Sequence, residues 1–494
     1  MNFNQEQASN LPATTSRKTK HLQRGTACFN CKRRKMRCDG AHPICGQCER
    51  ANRSDDCEYT NGQKRARAEI LEESISRTES RIYELEHPHQ NLNQFKVPLH
   101  QPYQPDRQRT PESTRHQSWA VSDEPPMDMV EKLIDFFLPF SSEVGFFLNA
   151  SRFRHSALIR HSIGHPSRPS PAVLAAVYLW GLRLSKQPFL TSQEPIFLSR
   201  ALKLVTKGLS GIHPQKVIHN LQAEILISYY FFASGRFLEG KYHTAAAVSL
   251  GLGSSIHMVR SANSTSLGLL QPARDAVEEG ERIHACWNAV ILDKTWAVVL
   301  SEAPNLDHQH ESCAVDTPWP LEMDDYEQGE FSPTARYSNT FHKFVNCVPT
   351  SDTGMSSIAL LSKATILWQR ADGLSRQWRP DMLRDQSITF QTSFCALDNL
   401  IDTFRGALVP LNRIAHPTPA MARTLIVAHS IAHAATIRLH SVVPLISDIN
   451  ARRKRLTAAR AVLEIVVAAA PLHFDFINPI MGVRPSALIP ATIF

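Results

Sequence analysis

The residues with the most distinctive chemistry are six of the chain's ten cysteines, which fall within 30 positions: Cys28, Cys31, Cys38, Cys45, Cys48 and Cys57. Two C-x2-C pairs, each followed by a further cysteine, are how a chain wraps thiolates around a tetrahedral ion such as zinc. Six thiolates satisfy two tetrahedral ions if two of them bridge, because six sulfurs with two shared make eight metal–sulfur bonds. A segment this short buries too little apolar surface to fold alone, so we expect two zinc ions to form its core.

Other uses of clustered cysteines fit less well. A disulfide-bonded module needs an oxidising compartment, whereas the N-terminal sequence lacks the features of a secretory signal. A C-x2-C redox pair needs a βαβ context, which is absent around these residues. A metal-storage cluster needs many more thiols than the rest of the chain supplies. We therefore interpret the six cysteines as zinc ligands in a soluble, intracellular protein.

Basic residues are concentrated around the first cysteines. Residues 1–60 carry eleven Lys and Arg against six Asp and Glu, while the whole chain of 494 residues has a net charge of +8. No acid lies between residues 17 and 38, a stretch that includes Arg17, Lys18, Lys20 and Arg24. A basic end on a nearly neutral body predicts a polyanionic partner. A solvated face or a nuclear-import signal is the alternative, and residues 17–20 are compatible with import, phosphate contact or both.

The stretch ACFNCKRRKMRCDGAHPICGQC resembles the fungal binuclear zinc-cluster (Zn2Cys6) transcription factors. The similarity includes a basic segment that ends in a cysteine and a loop proline, Pro43, just before the fourth cysteine. The resemblance implies that Cys28 and Cys45 bridge the two zinc ions. By the same resemblance, the terminal ligands are Cys31 and Cys38 for one ion, and Cys48 and Cys57 for the other.

The resemblance also implies a partner, double-stranded DNA. We expect a short helix between Cys31 and Cys38, pinned at both ends by metal, and this family places such a helix in the major groove. Arg34 and Lys35 match the family's base readers for a CGG triplet, with Lys35 the principal one, since Lys and Arg donate to guanine. Phosphate contacts are expected from Lys32, Arg33 and Arg37.

A short heptad pattern follows the cysteines. Ala68, Ile75 and Ile82 occupy one seam position, and Leu71, Thr78 and Leu85 occupy the other. The pattern predicts a parallel coiled coil that makes a homodimer, and its location matches the family's dimerisation element. The dimerisation residues are then Leu71, Ile75, Thr78, Ile82 and Leu85. Because the pattern spans fewer than three heptads, a single amphipathic helix is the alternative.

The expected fold class is mainly α, with a small zinc-cluster module ahead of a large all-α domain. From the N-terminus we expect a disordered basic tail (1–25), the Zn2Cys6 DNA-binding domain (26–60), a linker (61–66), the coiled coil (67–87), a disordered linker (88–125), an all-α regulatory domain (126–482) and an irregular tail (483–494). The last twelve residues lose the helical period, so we expect a truncated or misread C-terminus.

Amphipathic helices dominate the large domain. Met127, Val130, Leu133, Ile134, Phe137 and Leu138 share one helix face, and a pair of helices breaks at Ser234-Gly235. Residues 130–330 resemble, more loosely, the fungal-specific transcription factor domain. The acidic stretch at 314–331 is interpreted as a surface loop or an activation segment, and residues 452–455 as the solvated start of a helix. The remaining cysteines (Cys286, Cys313, Cys347 and Cys395) are expected to be buried thiols.

Enzyme signatures are not convincing. Asp352-Thr353-Gly354 imitates an aspartic-protease motif without a second copy, and His308, His310 and Glu311 fit a solvated loop better than a metal site. We therefore predict a nuclear, non-enzymatic, sequence-specific regulator of RNA polymerase II transcription in a fungus. It would contact the transcription machinery or co-regulators but no membrane, and a small-molecule effector of the helical domain is compatible with it. The alternative is an RNA-binding or scaffolding protein that uses the basic zinc module non-specifically.

Overall fold

The computed structural model describes residues 26–59, 75–76, 79, 122–263, 270–306, 314–332, 334–410, 418–442, 449–469 and 478–482. The chain divides into two compact units, Met1–Gln108 and Arg109–Phe494. Residues 26–59 of the first unit form two short helices, α1 (Phe29–Arg33) and α2 (Gly46–Arg50). Cys31 lies in α1 and Cys48 in α2, while Cys28 and Cys45 are the N-caps of the two helices.

The second unit is built from helices. In chain order they are α3 (Met127–Phe137), α4 (Ala150–Ala157), α5 (Pro171–Leu184), α6 (Pro188–Thr191), α7 (Glu194–Lys207), α8 (Lys216–Ala233), α9 (Phe237–Gly253), α10 (Ala276–Val299), α11 (Met323–Glu327), α12 (Thr340–Val345), α13 (Ser357–Gln377), α14 (Arg384–Ala407), α15 (Pro419–His440) and α16 (Ile449–Ala469). The described residues contain no strand, and one isolated bridge pairs Ser261 with Tyr337. The mainly helical fold predicted from the sequence is confirmed.

Helix α3 packs the face that its sequence pattern predicts. Val130, Leu133, Ile134 and Phe137 are all fully buried. The helix lies against α5, and the two backbones approach closely at Gly181. A Cβ atom at Gly181 would lie 2.3 Å from the carbonyl oxygen of Leu133. The absence of a side chain at this position is therefore what allows α3 and α5 to pack this closely.

The break between α8 and α9 is also where the sequence predicts it. Gly235 has a φ of 72°, a conformation that glycine adopts without a steric penalty. The Gly235 amide donates to the Phe232 carbonyl (3.0 Å) and the Arg236 amide to the Phe231 carbonyl (2.9 Å). These two bonds form a Schellman motif, which ends α8 and turns the chain into α9.

Two apolar clusters make the core of the helical unit. One gathers residues from α3 to α13, and the other gathers residues mainly from α13 to α15. Helices α10 and α13 contribute to both, for example through Trp287 to the first cluster and Ile291 to the second. Because these two helices are buried on several sides, they join the clusters into one body.

Asp293 on α10 holds the chain that follows the helix. Its Oδ1 accepts from the Asn305 amide (2.9 Å) and from Asn305 Nδ2 (2.7 Å), and its Oδ2 accepts from the Leu306 amide (2.9 Å). Asp293 is 2% exposed, so these donors compensate for the loss of water around a buried carboxylate. Asp293 thus has a structural role.

The contacts of the helical unit begin slightly before residue 126. Glu124 accepts two hydrogen bonds from the guanidinium of the fully buried Arg168, at 2.5 and 2.8 Å, and a third from Tyr178 Oη at 2.7 Å. A buried guanidinium requires such a partner. The sequence predicts a disordered linker at Glu124, because no local pattern reveals an acid that pairs with an arginine 44 positions away.

The acidic stretch at 314–331, interpreted from the sequence as a surface loop or an activation segment, is buried over residues 315–320, whereas Asp324 and residues 327–330 are exposed. Trp319 is 4% exposed and stacks on Trp287 with a ring separation of 4.2 Å. Its amide donates to Asp352, whose carboxylate also accepts from Gly354, so the Asp-Thr-Gly sequence organises this segment. Asp316, 2% exposed, accepts from Ser261 Oγ (2.5 Å) and the Asn339 amide (2.6 Å). Aromatic burial and hydrogen bonds therefore place the first part of the stretch, including Asp316, inside the unit.

Two smaller expectations are only partly met. Cys286 is buried as predicted, but Cys347 and Cys395 are exposed. The basic residues 452–455 are not simply solvated, because Lys454 Nζ lies 2.7 Å from carboxylates of both Asp398 and Asp402, and Arg455 is 3% exposed. These side chains meet α14, which the local sequence does not reveal.

Several expectations fall on residues outside those the structure describes. These are the tail at 1–25, the linker at 61–66, most of the segments 67–87 and 88–125, Cys313, the group His308, His310 and Glu311, and the tail at 483–494. Within the described part of the chain, no helix combines the length and apolar character needed to cross a bilayer.

Candidate metal centre and nucleic-acid interface

The cysteine cluster is built from two similar halves. Each C-x2-C pair starts a five-residue helix, α1 or α2, with the first cysteine as its N-cap. Cys28 Sγ accepts from the Cys31 amide, and Cys45 Sγ accepts from the Cys48 amide, both at 3.4 Å. A sulfur in this position accepts a hydrogen bond from a helix amide and lies near the positive end of the helix dipole. Both interactions favour a thiolate.

The sulfurs have the spacing of a metal cluster. Cys28 Sγ lies 3.7 Å from both Cys45 Sγ and Cys48 Sγ, and Cys31 Sγ lies 3.6 Å from Cys45 Sγ. A disulfide requires about 2.05 Å between sulfurs. Four thiolates around a tetrahedral zinc with Zn–S bonds of about 2.3 Å are about 3.8 Å apart. The sulfurs of Cys28, Cys31, Cys45 and Cys48 all lie within 4.8 Å of one another, so the donor set fits zinc.

The other two cysteines lie at the edge of this group. Cys57 Sγ accepts from the Cys45 amide at 3.2 Å, and Cys38, with Asp39 and Cys45, forms a second set of potential ligands. The Asp39 carboxylate accepts from the Gly46 amide, at 3.1 Å for Oδ1 and 3.0 Å for Oδ2, and so holds the start of α2. All six predicted ligands therefore lie in one module.

Two residues that the sequence analysis missed support the cluster. Asn30 Nδ2 donates to Cys48 Sγ at 3.4 Å across the two halves. Tyr59 Oη donates to the Ala41 carbonyl (3.0 Å), lies 3.7 Å from Cys38 Sγ and packs its ring against His42. An outer shell that orients the ligands is typical of metal sites. Neither role follows from spacing, because both depend on how the halves meet.

Burial controls the ionisation of these thiols. It raises the pKa of Cys31 to about 12 and raises that of Cys28 as well. Thiols in such an environment remain protonated unless a cation is present, and a bound divalent metal reverses this preference. For Cys45 and Cys48 the effect of burial is outweighed by hydrogen bonds from neighbouring groups, which lower the pKa of each thiol.

The basic residues lie on the outside of the first half. Lys32, Arg33, Arg34, Lys35 and Arg37 are all exposed. The expected helix up to Cys38 is, however, too long, because α1 ends at Arg33 and Arg34 is its C-cap. The Lys35 amide donates to the Lys32 carbonyl (3.2 Å) and the Met36 amide to the Cys31 carbonyl (2.9 Å), which forms a Schellman motif.

Lys35 has a φ of 53°, in the left-handed region that this motif requires. Glycine or asparagine usually occupies this position, because a lysine there has a steric cost. The second half has the same motif with Asn52, φ 53°, after α2. Its helix carries Glu49 and Arg50 in place of a purely basic run. The two halves share a backbone, but only the first presents a continuous cationic surface.

The predicted dimerisation residues are almost all outside the described chain. Ile75 alone is described; it is helical and its side chain is 56% exposed. Leu71, Thr78, Ile82 and Leu85 are not described, so the coiled coil stays a prediction.

Comparisons with known proteins agree with this geometry. Residues 26–66 match the fungal Zn(2)-Cys(6) binuclear cluster domain, which binds two zinc ions. The chain is 23% identical over 296 residues to the notoamide biosynthesis cluster transcriptional coactivator notQ' of Aspergillus versicolor, a match that covers 57% of this chain and 54% of that protein. It is 32% identical over 88 residues to transcription factor FBD3 of Gibberella moniliformis, which covers 18% of this chain and 12% of that protein.

The chain thus spans about half of the first relative and about an eighth of the second. No solved structure matches the chain. The match at residues 26–66 extends a few positions beyond the boundary predicted at residue 60.

Proposed function

Since residues 26–66 match the fungal Zn(2)-Cys(6) binuclear cluster domain, we propose that this protein is a nuclear, sequence-specific DNA-binding regulator. Its proposed role is to control transcription by RNA polymerase II. The observation that carries the proposal is the exposed basic run from Lys32 to Arg37 on a frame whose sulfurs have tetrahedral spacing. A rigid cationic surface both attracts phosphates and presents donors in fixed directions. The two relatives, named a transcriptional coactivator and a transcription factor, support the same role.

Cys28 and Cys45 are proposed as the bridging ligands. They cap the two helices, and their sulfurs lie 3.7 Å apart. Each also lies within 3.7 Å of the second cysteine in the opposite pair, Cys48 for Cys28 and Cys31 for Cys45. A sulfur shared by two ions must contact ligands from both halves in this way.

Lys35 and Arg34 are proposed to read bases, and Lys32, Arg33 and Arg37 to hold phosphates. Lys35 leaves the end of α1 at a backbone turn, where its side chain is exposed and the chain direction changes. Guanine O6 and N7 accept hydrogen bonds from lysine and arginine in the major groove. A CGG-type half-site is the proposed target, read by a homodimer through residues 67–87.

The helical unit is proposed to act as the regulatory domain that contacts transcription machinery or co-regulators, with no enzymatic activity. The competing function is non-specific nucleic-acid binding or scaffolding by the same basic module. Both functions predict binding that weakens with salt, because phosphate neutralisation does not depend on sequence.

Selection from a pool of random DNA duplexes by the full-length, zinc-loaded protein separates the two functions. We expect enrichment of CGG triplets, and paired triplets at a fixed spacing if the protein dimerises. A pool without enriched triplets would favour the competing function. RNA of random sequence serves as the parallel pool, and preferential recovery of RNA would contradict the proposal.

Replacing Lys35 by glycine separates its role in binding from its role in folding. Glycine suits the left-handed backbone at this position, so we expect the Lys35→Gly protein to bind zinc and fold at least as well as the parent. Loss of a base contact should weaken binding to the selected site by about 1–3 kcal/mol, measured by fluorescence anisotropy at fixed salt.

Asn52→Gly is the matched control, because Asn52 occupies the same motif in the second half. It should leave the affinity for DNA nearly unchanged. Equal affinities of Lys35→Gly and the parent for the selected site would show that Lys35 is not a base reader.

A further inference from the structure

A cleft of about 210 Å³ lies in the helical unit, between the start of α4, the start of α8 and the start of α10. Its apolar walls are Leu148, Phe153, Pro166, Pro169 and Pro214. Liquid water occupies about 30 Å³ per molecule, so the cleft has room for roughly seven waters or one small organic molecule. None of its residues has a part in the proposed DNA contact.

Each arginine of the cleft is paired with a carboxylate. Arg152 lies 2.7 Å from Asp275, Arg168 lies 2.5 Å from Glu124, and Arg274 lies 2.8 Å from Glu278. The carboxylate beside each arginine balances its charge and so reduces its attraction for an anionic ligand. The pairing therefore favours a ligand without net charge.

A buried histidine of the cleft has a ring nitrogen without a partner. His219 is 6% exposed, and its Nδ1 accepts from the Ser170 amide at 3.1 Å. Since Nδ1 accepts, Nε2 must carry the proton of the neutral ring. Burial, with smaller contributions from His213 and Arg274, lowers the pKa of His219 to about 3, so the ring is neutral. No described residue accepts from Nε2, and this atom is not enclosed by the fold.

His213, the neighbouring histidine, differs from His219 in that both of its ring nitrogens have partners. His213 also lines the cleft, with its ring 4.9 Å from that of His219. Its Nε2 contacts the Arg168 carbonyl (2.8 Å) and its Nδ1 accepts from the Gln215 amide (3.1 Å). Both of its nitrogens are used within the fold, so of these two histidines His219 alone offers a donor to a ligand.

One acceptor in the cleft also has no partner. Glu281 Oε1 accepts from the Asn149 amide at 2.8 Å, while no described group contacts Oε2. Glu281 is 9% exposed, and burial raises the pKa of its carboxyl to about 7. A carboxyl that is only partly ionised at neutral pH suits a neutral hydrogen-bond donor better than a cation.

We propose that this cleft binds a small neutral molecule that carries an amide or lactam group. The carbonyl of the ligand accepts from His219 Nε2, and its N–H donates to Glu281 Oε2. Its apolar body packs against Phe153 and the surrounding prolines. The proposal concerns the helical unit alone and holds whether or not the protein binds DNA.

Benzamide tests the proposal, because its roughly nine non-hydrogen atoms fit the cleft and combine a ring with an amide. Titration of the full-length protein, followed by saturation-transfer NMR, should give a Kd on the order of 1 mM, as expected for a ligand of this size. Benzoate has the same shape but is an anion, and it should bind at least about tenfold more weakly. N,N-dimethylbenzamide, which lacks the N–H donor, should also lose at least about tenfold.

Glu281→Gln replaces the free acceptor but keeps an oxygen for the Asn149 amide. We expect this variant to weaken benzamide binding by at least about tenfold. Glu302→Gln, at an exposed carboxylate that pairs with Lys241 outside the cleft, is the control and should leave the affinity unchanged. The dimethyl analogue tests the same hydrogen bond without a substitution, in case Glu281→Gln fails to fold.

Three results would overturn the proposal. They are no saturable benzamide binding, benzoate binding as tight as that of benzamide, and equal affinity of benzamide and its dimethyl analogue for the parent protein. Each result concerns the helical unit only, so the selection of DNA sites remains an independent test of the regulator proposal.

Discussion

The Cys45→Ser protein is expected to bind fewer than two zinc ions per chain and to lose specific DNA binding. Cys45 Sγ lies within 3.7 Å of Cys28 and Cys31, caps α2 and contacts both halves of the module. Serine is a poor zinc ligand, and structural zinc supplies on the order of 10 kcal/mol of folding free energy in small domains. Loss of a shared ligand should therefore remove the core of residues 26–59.

Metal analysis of the purified full-length protein by mass spectrometry, under reducing conditions, measures this outcome. Cys395→Ser is the control, because Cys395 is an exposed thiol of the helical unit, and this variant should retain two zinc ions. Cys48→Ser tests the bridging assignment, since loss of a terminal ligand should spare more metal than loss of a bridging one. Two zinc ions in the Cys45→Ser protein would contradict the bridging role of Cys45.

The Gly181→Ala protein is expected to lose about 3 kcal/mol or more of stability in the helical unit. A methyl group at this position would meet the Leu133 carbonyl oxygen at 2.3 Å and the Leu133 carbonyl carbon at 2.9 Å. Backbone atoms cannot rotate away as a flexible side chain can, so α3 and α5 must separate. Overpacking a dense core commonly costs about 1–3 kcal/mol, and this contact is closer than a side-chain adjustment can relieve.

Thermal unfolding followed by far-ultraviolet circular dichroism should show a Tm lower by roughly 5 °C. Gly406→Ala is the matched control, because Gly406 is a helical glycine of α14 with no atom within 4 Å of the added Cβ. This control should leave stability unchanged or raise it by up to about 1 kcal/mol, since alanine favours helices. A Gly181→Ala protein as stable as its parent would mean that α3 and α5 pack less closely than described.

The cysteine site could be predicted in detail because its chemistry is local. The six ligands lie within 30 positions, and their spacing limits which metals and coordination numbers can fit. Its supporting residues could not be predicted, since Asn30 and Tyr59 contact cysteines 18 and 21 positions away. Contacts of this kind depend on how the two halves meet, not on a motif.

In the helical unit, too, local features could be predicted from the sequence and contacts between distant residues could not. Periodicity predicted the buried face of α3 and the break at Gly235, because both follow from local backbone geometry. The acidic composition of residues 314–331 predicts solvent exposure, which holds for residues 327–330 but not for the part around Trp319. Its burial results from stacking on Trp287 and from Asp352, a residue 33 positions away.

The sequence by itself determined that this chain carries a binuclear zinc module with a basic surface and a helical body, because ligand spacing, charge and helical periodicity are properties of neighbouring residues. Only the tertiary structure decided that α1 ends at Arg33, that Lys35 adopts a left-handed backbone, and that His219 and Glu281 line one cleft. The cleft depends on groups distant in sequence that packing of the helical unit brings together. The turn at Lys35 is a local Schellman motif, but a lysine in place of the usual glycine or asparagine gives no sequence signal for it.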